Sequence, residues 1–95
     1  MNQIKLHDFR FTAADATHIR TGLLGWISFA VNGGLRIDGV TLRRTADGRL
    51  ALSFPLKLAK DGRKHSLVSP LSDIARQDIE SQVFEALHLD PRKEP

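Results

Sequence analysis

Apolar and polar residues alternate in two neighbouring runs near the middle of the chain, and the other elements read as support for that pair. Within residues 49 to 54, Leu50, Leu52 and Phe54 fall on one side and Arg49, Ala51 and Ser53 on the other. This is the period of two that marks a half-buried strand. The preceding run starts with Leu35 and Ile37, then resumes after Gly39 with Val40 and Leu42. Such a change of phase predicts a β-bulge at Asp38-Gly39. Between the runs, Thr45-Ala46-Asp47-Gly48 reads as an exposed polar turn whose glycine can take positive φ without strain. Pro55 cannot donate a ladder hydrogen bond, so the second run should end there or lie on an edge.

The same pattern predicts a first strand over residues 3 to 12, carried by Ile4, Leu6, Phe9 and Phe11, with another bulge near His7-Asp8. Residues 13 to 22 have weak periodicity and read as a loop with room for a helical turn. Residues 23 to 31, LLGWISFAV, suit a buried strand in which Ile27, Phe29 and Val31 share one face and Trp26 takes the other. Asn32-Gly33-Gly34 then offers the positive-φ backbone of a hairpin connection.

Beyond Pro55, residues 56 to 65 predict an exposed basic loop around an Asp61-Gly62 turn, and residues 65 to 70 a short fifth strand with Leu67 and Val68 as its apolar content. Ser72 can cap a helix and Asp73 suits its first turn. Ile74, Ala75, Ile79, Val83, Ala86 and Leu87 recur at helical spacing, and Pro91 should stop the helix and leave residues 91 to 95 as a frayed tail. The plan is therefore one α+β domain over residues 1 to 90: an antiparallel β-sheet of about five strands with one C-terminal α-helix packed on it.

Composition narrows the chemistry. A chain of 95 residues with 41% hydrophobic content supports one modest core. Chains of this size bury roughly 60 to 70% of their extended surface on folding, so a subunit interface would add stability and a homodimer is expected. The sequence has no cysteine, which rules out disulfides, thiolate metal sites and thiol nucleophiles and fits a reducing compartment. No signal-peptide pattern and no run long enough to cross a bilayer occurs, so a soluble cytoplasmic protein without a membrane partner is expected.

The net charge of +3 is unevenly spread. From Arg36 to Lys64 there are eight basic and three acidic residues, and from His65 to Pro91 one basic and five acidic. An anionic partner such as DNA or RNA suits the basic part, although the same charges suit a merely solvated surface. Arg43-Arg44 and the cations of the 56 to 65 loop are the candidate phosphate ligands, through charge-assisted hydrogen bonds that weaken with salt. Trp26 is the ready stacking aromatic off the core face, and packing under the 13 to 22 loop or in a dimer contact is the favoured reading for it.

Catalysis finds no pattern to stand on. His7, His18, His65 and His88 lack metal-ligand spacing, Gly33-Gly34 lacks the rest of a phosphate loop, and no serine sits in a nucleophile elbow. The expectation is a non-enzyme with no cofactor and no metal.

At LRIDGVTL, LALSFPLK and the glycine, proline and helix that follow, the chain resembles the SpoVG family of small bacterial regulators, the septation and stage V sporulation G proteins. Leu35, Ile37, Val40 and Leu42 fall on that family's strand positions. Leu50, Leu52 and Pro55 fall on its L-x-V-x-x-P, and Lys57 on its first basic residue. Arg76, Ile79 and Val83 match from Pro70 onward without a gap. The likeness spans residues 24 to 87 and lies in order and spacing. It departs at Asp38-Gly39, where the family has His-Asp, at Phe54 for methionine, at Leu56 for serine, and at Ser69 for the histidine of H-P. The resemblance implies a dimeric DNA- or RNA-binding regulator, with phosphate contacts on Lys57, Lys60, Arg63, Lys64 and Arg76. The other reading is a protein-protein interaction module, recruiting a polypeptide through a sheet edge or the Trp26 face without nucleic-acid binding.

Overall fold

The computed structural model describes residues 4 to 89. Alternation does become strand: β1 (Leu6–Ala13), β2 (Leu23–Val31), β3 (Leu35–Arg44) and β4 (Leu50–Ser53) form an antiparallel meander in the order β1-β2-β3-β4. A short helix α1 (Ala16–Arg20) joins β1 to β2, and a long helix α2 (Asp73–Ala86) closes the described chain. Between them, β5 (Leu56–Leu58) and β6 (Lys64–Ser66) pair only with each other, as a separate two-stranded ribbon. The fold is α+β, and none of the described helices is long and apolar enough to cross a membrane.

Both expected bulges are present. Asp8 and Phe9 together face Phe29, with Asp8 at φ +54°, and Asp38 and Gly39 together face Ser28, with Gly39 at φ +79°. A third irregularity, an extra residue at Leu24, escaped the sequence reading because the run around it is apolar throughout. The β2–β3 connection bends at Asn32 and Gly33, both at positive φ, with the Gly34 N–H donating to the Val31 carbonyl at 3.0 Å. Two successive positive φ values match the right-handed twist of the flanking strands, which explains the asparagine and glycine there.

Helix α2 lies on the face that carries Ile27, Phe29, Val40, Leu42, Leu50 and Leu52, and buries Ile79, Val83 and Phe84 against them. Polar side chains tie it to both sheet edges. Gln82 accepts from the Leu6 N–H at 2.9 Å and donates to the Ile4 carbonyl at 2.7 Å, acting as a substitute strand beside β1. At the other edge Glu80 accepts from the Leu52 N–H and Arg76 donates to the Leu52 carbonyl, both at 3.3 Å. The helix thereby satisfies edge groups that would otherwise be templates for pairing.

The structure changes several of these expectations. Ile74 is 81% exposed, and it belongs to no core stripe because it sits nine residues from Val83, about two and a half turns, on the opposite side of the helix. Ala86 is exposed as well, and Phe84 takes the buried position instead. The helix closes at His88, which turns to φ +56°, while the His88 and Leu89 N–H groups donate to the Glu85 and Phe84 carbonyls. This is the reciprocal closure of a Schellman motif. Pro91 and the expected tail over residues 91 to 95 lie outside the described residues. Residues 67 and 68 form no strand; the fifth and sixth strands are the ribbon, which replaces the expected basic loop.

Candidate nucleic-acid interface

Pro55 ends β4, as its missing N–H requires, and redirects the chain. Its carbonyl accepts from the Leu67 N–H at 3.0 Å, which closes the base of the ribbon. Within the ribbon Leu56 pairs with Ser66, Lys57 with His65 and Leu58 with Lys64, so the strand alternation sends Lys57 and His65 to one face and the leucines with Lys64 to the other. All six residues are exposed. The tip carries Lys60, Asp61 and Arg63, and the Arg63 Nε lies 3.4 Å from the Asp61 carboxylate.

The tip repeats a turn found earlier in the chain. Thr45-Ala46-Asp47-Gly48-Arg49 and Ala59-Lys60-Asp61-Gly62-Arg63 share the sequence D-G-R and the same hydrogen bonds. In the first, the Thr45 N–H donates to the Arg49 carbonyl at 2.8 Å and the Gly48 N–H to the Thr45 carbonyl at 3.0 Å. In the second, Ala59 and Arg63, and Gly62 and Ala59, make the same bonds at 2.8 and 3.0 Å. Gly48 and Gly62 sit at φ +86° and +85°. Each turn is a three-residue hairpin loop closed by glycine in the left-handed region, and each places its arginine beside its aspartate. In the first turn the Thr45 hydroxyl also donates to Asp47. That bond, followed by the Arg49 N–H and the Arg49 charge, holds the Asp47 carboxyl below the ordinary carboxylate range.

The predicted cations do not form one surface. Arg43 and Arg44 stand at the turn end of the β3–β4 hairpin, opposite Ala51 and Leu50, and Arg44 is engaged there by the Gly48 carbonyl at 3.0 Å. Lys57 follows Pro55, beyond the other end of β4. Lys57, Lys60, Arg63 and Lys64 do come together on the ribbon. Arg76 is half-buried, donates to the Leu52 carbonyl, and holds its guanidinium 5.6 Å from the centre of the Phe54 ring. Its contacts are those of a clamp between helix and sheet.

The sheet face away from α2 is a second exposed area. Thr12, Trp26, Thr41 and Ser53 are paired in one row across all four strands. Trp26 is 38% exposed, and the His18 ring of α1 meets it in a T-shaped contact with centroids 6.0 Å apart. His18 is itself held by Asp15, the cap of α1, through both its N–H and its ring. Those two bonds, backbone first, hold the Asp15 carboxyl below its ordinary range. Arg10, Ser28 and Arg36 continue the face, with Arg36 donating to the Ser28 hydroxyl at 2.6 Å and paired with Asp8. The sequence marks this face only by the position of Trp26 in the alternation of β2.

No protein-family model and no curated protein matches the chain.

Proposed function

We propose that the protein is a small nucleic-acid-binding regulator of the SpoVG type, working as a cytoplasmic homodimer and holding DNA or RNA by its phosphates. The observation that carries this reading is the ribbon: four cations against one carboxylate, with Lys57, Lys60 and Lys64 free of any ion pair among the described residues. A narrow arm with three unpaired cations that stands apart from the main sheet can follow a phosphate backbone, and its contacts are independent of base sequence. Exposed Leu56, Leu58 and Leu67 beside them support the dimer, because apolar side chains at that density gain from a second surface. The order and spacing of the strands, Pro55 and the helix support the family.

The test is fluorescence anisotropy of labelled DNA and RNA at several salt concentrations, with light scattering for mass. Replacing Lys57, Lys60, Arg63 and Lys64 by Gln should weaken binding about equally for all sequences and flatten the plot of log K against log salt by roughly 3. Unchanged binding by the quadruple variant would remove the ribbon from the reading. Salt-insensitive capture of a polypeptide with no nucleic-acid binding would favour the interaction module instead.

A further inference from the structure

We infer that the open face of the four-stranded sheet is a stacking platform for single-stranded nucleic acid, with Trp26 receiving an unpaired base and Arg43 and Arg10 flanking it toward the phosphates. The inference rests on the nucleic-acid reading above but concerns a different surface from the ribbon.

Four observations converge on it. Trp26 lies on an inner strand, in the row Thr12–Trp26–Thr41–Ser53, so its neighbours on both sides are small and polar and do not wall it in. Helix α2 occupies the opposite face, and α1 brings the His18 ring to Trp26, tilted 69° to the indole. That contact braces the indole and leaves 38% of the residue exposed. A core tryptophan would be buried, and a tryptophan that merely covered the loop would need no open row beside it.

The cations are placed to match. Arg43 follows Thr41 by two positions on β3, and Arg10 precedes Thr12 by two positions on β1. Each therefore lies one side-chain row from Trp26, about 7 Å along the strands and on opposite sides of it. Arg43 has no ion pair among the described residues; it is half-buried between Ala51 of β4 and Leu23 of β2. Asp8 is already paired with Arg36 and Arg10, Asp15 is occupied by His18, and Asp38 lies at the bulge opposite Ser28. Three arginines stand against Asp8, Asp15 and Asp38, so the face is not charged overall, and Arg43 is the arginine of the three with no ion pair among the described residues.

These features select a single strand over a duplex. Every base offers a π-face to an exposed indole, whereas bases in a duplex are already stacked on one another. Flanking arginines then fix the backbone without reading sequence. The ribbon suits either form, so the two surfaces have different preferences.

Trp26 is the chain's one tryptophan and there is no tyrosine, so intrinsic fluorescence reports on this face alone. The protein is titrated with a labelled oligothymidine of roughly 10 nucleotides, and with a duplex of the same length, while anisotropy of the label and Trp26 emission are read on the same samples. The expected result is quenching of Trp26 that saturates with the anisotropy for the single strand and is absent for the duplex. Anisotropy that rises without any change in Trp26 emission overturns the platform and leaves the ribbon reading standing. Equal quenching by strand and duplex overturns it too. No rise in anisotropy at low salt overturns both readings. Trp26→Ala should weaken single-strand affinity about 5- to 100-fold and leave duplex affinity unchanged, with Trp26→Phe recovering most of the loss. Arg43→Gln, which leaves the indole in place, should lower the single-strand salt slope by roughly 1. Wild-type affinity in both Trp26→Ala and Arg43→Gln would overturn the assignment.

Discussion

The β3–β4 and β5–β6 hairpins share a turn with the same two backbone hydrogen bonds and differ in nearly everything attached to it. Each has an Asp-Gly-Arg tip with glycine at almost the same φ. After the first tip come Leu50, Ala51 and Leu52, whose alternate side chains reach the core under α2. After the second come Lys64, His65 and Ser66, which offer nothing to bury. The turn chemistry is local and makes a hairpin in either place. Whether that hairpin joins the sheet is decided by the strand that follows, since burying leucine is worth a few kcal/mol and burying lysine is costly. One turn thus serves a structural hairpin and an arm left free for solvent and partners.

Replacing one leucine in each hairpin is the hardest test of this contrast. Leu52→Ala removes a side chain that is 3% exposed and should cost about 2 to 5 kcal/mol in a urea titration. Leu58→Ala, at 63% exposure, should cost under about 0.5 kcal/mol. Equal losses would mean that the ribbon is held by the same core.

The two turn glycines allow a closer comparison, because a Cβ added at either meets no atom within 4 Å and only the backbone conformation is at stake. Gly48→Ala should reduce global stability by about 1 to 2 kcal/mol, the usual cost of alanine in the left-handed region. Gly62→Ala carries the same strain, but it should appear as faster hydrogen exchange in the ribbon with an almost unchanged global midpoint. A large shift in the global midpoint for Gly62→Ala would show that the ribbon folds cooperatively with the sheet.

The smallest effect concerns pH. The Asp47 carboxyl is held low, first by the Thr45 hydroxyl and then by the Arg49 N–H and charge. A depressed folded value means stability that is present above the unfolded pKa of about 3.9 and lost as pH falls through the folded one. NMR titration should find the Asp47 midpoint below that ordinary value, and Thr45→Ala should move it upward. A midpoint that ignores Thr45→Ala would remove the hydroxyl as the cause.

Much of the fold was legible because its determinants are close in sequence. Alternation needs only neighbouring residues, so β2 was read with its limits correct and β3 with its bulge. Glycine, asparagine and proline act on their own φ or on the adjacent bond, so the turns at 32 to 34 and 45 to 48 and the end of β4 at Pro55 were equally plain. Ser72 caps α2 by accepting from the Ala75 N–H at 3.1 Å, again a contact within one turn.

What the chain determined by itself was therefore a set of local preferences: where strands alternate, where they bulge, where they turn, and where the last helix starts. Tertiary structure decided which of these segments share a core. It put Phe84 inward and Ile74 outward, because the helix meets the sheet along the Val83 side and an apolar residue on the far side has nothing to touch. It drew Arg76, which the family resemblance marked as a phosphate contact, into a clamp on Leu52. It separated Arg43 and Arg44 from the lysines by the length of a strand, and left β5 and β6 as an arm of their own. Each of these outcomes depends on contacts between residues far apart in the chain, whose energies are set by burial and pairing and not by any local pattern.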